Sequence, residues 1–111
     1  MKTINISTFI ILLLSCSGAL AETLNEKVAR NAANCLTGHI ATNSAMYQSG
    51  EASKYLLLVK KIVGDKQAVP LIQKSADNLK SSVQMMGGST KEEGAWLIKT
   101  FCPGVDKIIN N

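Results

Sequence analysis

The chain holds one histidine, one arginine, two prolines and few aromatic residues, 5% of the total. Each shortage removes a class of chemistry. His39 with Cys35 and Cys102 supplies too few soft ligands for a closed tetrahedral zinc set, so no metal or other cofactor is expected. Arg30 stands alone among lysines that are spread rather than clustered, so the arginine-rich, aromatic-lined stripe of a nucleic-acid footprint is missing. Asp65, Asp77 and Asp106 lack the spacing of a calcium loop. Gly87 and Gly88 are followed by no Gly-Lys-Ser or Gly-Lys-Thr and preceded by no strand, which excludes a phosphate loop. Glu92 and Glu93 are neighbours, and neighbours on a helix point apart, so they do not make a catalytic carboxylate pair. Internal repeats and low-complexity tracts are also absent.

What is present begins with a leader. Lys2, the apolar run Phe9 to Leu14, and the small-residue site Ala19-Leu20-Ala21 form the three parts of a secretory signal. The apolar run is far short of the roughly 20 residues that span a bilayer. Residues 1–21 therefore read as a signal peptide, and 22–111 as one mature domain in the periplasm or outside the cell. Leu13-Leu14-Ser15-Cys16 also approximates a lipobox, although Leu14 is bulkier than that position usually carries. Soluble export is the preferred reading; a membrane anchor through lipidated Cys16 is the alternative.

Under either reading two cysteines remain, Cys35 and Cys102, and an even pair in an oxidising compartment predicts one disulfide. Closing a loop of 67 positions is worth roughly 4 kcal/mol in the chain-entropy account, comparable with the net stability of a small domain.

Helical periodicity fills the mature region. Leu24, Val28, Ala32, Leu36 and Ile40 recur every fourth residue and predict a helix from about Leu24 to Tyr47, with Gly38 marking a bend or a close crossing. Tyr55, Leu58, Val59, Ile62 and Val63 predict a second helix over 51–63, stopped by Gly64. Asp65 is a candidate N-cap for a third, in which Pro70 is either the first helical residue or a kink, with Ile72, Ala76, Leu79, Val83 and Met86 as its face. In STKEEGAWLIKTFC, Ser89 with Glu92 and Thr90 with Glu93 each make a capping box for a fourth helix, which Pro103 and Gly104 are expected to stop. Val105, Ile108 and Ile109 would then lie in a short C-terminal turn that covers an edge of the core. The expected fold is all-α, a small four-helix bundle tied by one disulfide.

Candidate binding residues flank the connectors. Met46, Tyr47 and Tyr55 border the first, while Met85, Met86 and Trp96 border the GGSTKEEG turn. Such residues serve adaptable protein contacts and, more often, fill the cores of small helical domains. Trp96 stands out because Leu97 and Ile98 already serve the inner face. His39, one turn after Cys35, reads as a polar surface residue or a satisfied, partly buried one; a Cys35–His39 nucleophile pair would require a free thiol.

The opening LNEKVARNAANCL and the closing IKTFCPGVDKIIN each place a cysteine in a terminal helix. In this outline the chain resembles small exported bacterial helical proteins with one disulfide, including periplasmic immunity proteins that neutralise amidase effectors of type VI secretion. Acid-stress chaperones of the periplasm share the outline. The likeness covers only the two ends and transfers no functional residue.

Without the leader, 11 basic residues face 8 acidic ones, a modest excess that suits solvated helix faces and weak attraction to an acidic protein, anionic lipid or peptidoglycan. The leading expectation is a non-enzymatic protein-binding module, an inhibitor or immunity-type protein whose partner is another protein; a homodimer is also compatible. A stress chaperone exposing apolar surface is the alternative. Mass spectrometry of the exported protein is expected to find an N-terminus at Glu22; an acylated Cys16 would establish the anchored form instead.

Overall fold

The computed structural model describes residues 22–111, so the expected signal peptide, residues 1–21, and Cys16 within it lie outside the described residues. Among the described residues five helices follow one another: α1 (Leu24–Thr42), α2 (Ala45–Ser49), α3 (Ser53–Val63), α4 (Asp65–Met86) and α5 (Thr90–Asn110). The four longer helices make the expected all-α bundle. The single turn of α2 bridges α1 and α3. None of the described helices is long and apolar enough to cross a membrane.

Local chemistry sets the ends. Thr23 caps α1 in a full capping box with Glu26, a Thr-x-x-Glu signal that the sequence reading passed over. The helix stops at Asn43, not at Tyr47, because Asn43 takes a left-handed conformation that asparagine tolerates better than most residues (φ 49°). Ser44 then caps α2 by accepting from the Tyr47 N–H. Asp65 lies in the first turn of α4 and does not cap it; Gly64 holds that position without a side-chain bond. Ser89, the first of the two candidates, caps α5 by accepting from the Glu92 N–H.

Both prolines sit inside helices. Pro70 lies within a continuous α4, and α5 runs through Pro103 and Gly104 to Asn110. The expected stop at Pro103 is thus overturned. An interior proline costs about 3 kcal/mol. Cys102 immediately before it is bonded to α1, Val105 just after it is buried, and Asp106 accepts a hydrogen bond from α3, so contacts on both sides of Pro103 hold the helix together.

The core is assembled around α1, which packs against α3, α4 and α5. Ala29, Ala32, Ala33, Cys35 and Leu36 are buried along it, and the last four cluster with Ala52, Tyr55 and Val59 from the α3 side, Ala68 of α4, and Cys102 and Val105 of α5. Of the expected α1 stripe, Ala32 and Leu36 are core, whereas Leu24 and Ile40 are exposed. The face is rotated toward the alanines, whose small side chains let three helices approach one.

The closest approach joins α1 to α5. A Cβ on Gly38 would lie 2.7 Å from the Gly94 carbonyl oxygen, and one on Gly94 would lie 2.8 Å from the Ala41 Cβ. Gly38 therefore marks a helix crossing. Gly104, on the same helix as Gly94, has nothing within 4 Å of its Cβ position. In equilibrium urea unfolding, Gly94→Ala is expected to lose about 1–3 kcal/mol through overpacking, while Gly104→Ala gains up to about 1 kcal/mol from helix propensity.

Candidate functional site

Two regions merit description: a buried polar cluster beside the disulfide, and the exposed apolar side chains. Cys35 and Cys102 are bonded, with S–S 2.04 Å and Cα atoms 5.0 Å apart. The bond removes the thiol that a Cys35–His39 nucleophile pair requires. Donor atoms of Cys35, His39 and Cys102 lie within 4.8 Å of one another, yet the sulfurs are committed to each other and only three ligands converge.

His39 is buried, on the inner side of α1, where the sequence reading expected a surface or partly buried residue. Its Nδ1 lies 2.7 Å from Ser44 Oγ, and its Nε2 lies 3.6 Å from Cys102 Sγ. A neutral imidazole protonated on Nε2 satisfies this network: the Ser44 hydroxyl donates to Nδ1 while accepting from the Tyr47 N–H. The ring stacks on Tyr55 with centroids 5.5 Å apart. Tyr55 in turn donates its hydroxyl to Asp106 at 2.6 Å, and Lys54 approaches the same carboxylate at 3.8 Å and the Tyr55 ring at 5.2 Å.

Tyr55 is therefore a core residue. Its assignment as a candidate partner contact is corrected: position 55 faces α1 and α5, and its ring is wholly buried. Burial, with the Asp106 hydrogen bond and charge, pushes its phenol far above the usual range, so it stays protonated as a donor.

The remaining candidates stay outside the core. Met85 and Met86 close α4 and are among the most exposed apolar side chains; Trp96, in the second turn of α5, is 52% exposed. Its indole meets Phe101 edge to face at 6.0 Å and borders a small cavity of about 150 Å³ with Leu79, Ser82 and Glu93. Tyr47 is exposed on a different surface, beside Ile40 at an apolar groove of about 220 Å³ floored by Leu36, Ala52 and Leu56. Met46 packs half-buried against the core. The structure thus separates Tyr47 from the Met85, Met86 and Trp96 group.

Leu57, which is not among the expected binding residues, is exposed, and Ile108, expected to cover an edge of the core, is exposed on α5 instead. Three successive leucines, 56 to 58, cover 200° of an α-helix, and a helix packed on one side cannot bury them all. That signal was available.

Comparison with protein-family models, curated proteins and solved structures finds no match to this chain. The reading of the site rests on its geometry.

Burial holds the His39 imidazole below its usual range, with Asp106 opposing the shift and Lys54 adding to it. In the unfolded chain this group titrates near 6.5. As pH falls below about 6.5 the unfolded state gains a proton that the folded state resists, and this contribution is lost until the pH has passed the lower folded-state value. Thermal melts across pH 7.5 to 5 are expected to show declining stability, with the decline reduced in His39→Gln.

Proposed function

We propose that this chain is an exported protein-binding module of the inhibitor or immunity type, acting through a preformed helical surface without chemistry of its own. The observation that carries the reading is the exposure of Met85, Met86 and Trp96 around the α4–α5 turn of a disulfide-closed bundle. Methionine adapts to a partner's contour, and tryptophan is the side chain most enriched among energetic anchors. A scaffold whose helices are fixed beforehand also loses little backbone entropy on association. The partner is a protein; the location is the periplasm or the extracellular space.

A stress chaperone is the second reading, favoured by the buried, proton-resisting His39 beside the α1–α5 joint. Acid would weaken the fold there and open apolar surface. Probe-dye binding and client aggregation from pH 7 to pH 3 distinguish the two, because an inhibitor stays closed over most of that range.

For the leading reading, affinity capture from periplasmic extract is expected to recover a stoichiometric partner with the wild-type chain. Trp96→Ala is expected to weaken that complex by about tenfold or more, while a cooperative melt, lowered only by the loss of the Phe101 contact, shows that the variant folds. Failure to recover any stoichiometric partner would overturn it.

A further inference from the structure

Away from the Trp96 region, a groove of about 690 Å³ runs between α3 and the last turns of α5 and is closed at its side by the start of α1. Trp96 and Ile108 are 12 residues apart on α5, about 18 Å along its axis. Leu57 and Ile108, 63% and 47% exposed, line the groove with the half-buried Leu58 and Ile109. Lys54 and Lys61 line it too, with Asn25 and Asn111, and no aspartate or glutamate side chain does.

The two lysines are seven residues apart on α3, which places them on one face, two turns or about 10.5 Å from each other. Lys54 is already positioned by Asp106 and the Tyr55 ring, and an ammonium has three donors, so it can take a second carboxylate. Lys61 is exposed and makes no ion pair among the described residues.

We propose that this groove binds an amphipathic helix of an acidic partner protein. The partner's carboxylates, two turns apart, meet Lys54 and Lys61, and the apolar residues between them pack on Leu57 and Ile108. The shape argues for a helix: a cylinder about 10 Å across enters a concave groove between two helices, whereas a flat lipid surface reaches only its raised edges. The basic lining argues for the sign of the partner's charge. This site is separate from the Met85, Met86 and Trp96 face, so either assignment can fail without the other.

The probe is a labelled 16-residue helical peptide with Glu at positions i and i+7 and Leu at i+3 and i+4, titrated by fluorescence anisotropy against the full chain expressed for export. Saturable one-to-one binding is expected. Leu57→Asp should abolish it, Lys61→Glu should weaken it about tenfold, and replacing the matching peptide Glu by Lys should restore binding to Lys61→Glu; Trp96→Ala should bind as wild type. Leu57 and Lys61 are exposed, and thermal melts verify that their variants fold. Absence of saturable binding, equal affinity for the charge-inverted peptide, or loss in Trp96→Ala would overturn the proposal. So would a Leu57-dependent interaction found only with phosphatidylglycerol vesicles or only with a second copy of the chain.

Discussion

The contact between α1 and α5 is the constraint from which the rest of the bundle follows. Gly38 and Gly94 let the two backbones meet without side chains between them, and the Cys35–Cys102 bond joins the same pair of helices. Because the chain connecting them contains α2, α3 and α4, fixing this pair limits where the other helices can go. The bond acts mainly on the unfolded ensemble, by removing the conformations in which the two ends of the domain are far apart. The glycine contact acts on the folded state, by permitting an approach that any larger residue would prevent.

Beside that joint, polar groups are paired in series. Ser44, His39, Tyr55, Asp106 and Lys54 connect the break after α1 to α3 and to the far half of α5. Each buried member has a partner, which is the condition for such a cluster to stabilise a core instead of weakening it. The arrangement ties the region after Pro103 to α3, so the proline does not free the end of α5. Thr37 is the exception: its buried hydroxyl finds no hydrogen-bond partner among the described residues.

Much of the fold was legible in the sequence, and the misses have physical causes. The helical period and the disulfide depend on local spacing or on simple pairing and appear in the structure as expected, whereas of the two expected capping boxes at the start of α5 the structure shows Ser89 as the cap, accepting from the Glu92 N–H. The end of α1 lies four or five residues before the expected Tyr47 because nothing in the local spacing marks Asn43 as the residue where the backbone turns left-handed. Pro103 reads as a stop because its cost is local and visible, whereas the contacts that offset it come from residues far away in the chain. Tyr55 carries two signals at the candidate site: its place beside a connector suits a surface anchor, its place on the apolar face with Val59 suits the core, and the structure buries it, with Asp106, 51 residues later, accepting from its hydroxyl. The exposed group of Met85, Met86 and Trp96 was named from sequence, while the groove between α3 and α5 was not, since it exists only once two distant helices lie side by side.

The alanine-lined centre carries a consequence for how such a chain can vary. Ala29, Ala32 and Ala33 lie in contact with their surroundings on a helix with neighbours on three sides, so a larger residue at any of them would push a whole helix outward. The outer faces of α3, α4 and α5 have no such restriction. Tolerance to substitution is therefore divided by geometry: the central helix is held to small residues, and the surfaces can exchange charge and shape while the frame beneath them stays the same. A substitution along α1 or around the two cysteines alters the frame itself, whereas one on an outer face alters only the surface that the frame displays.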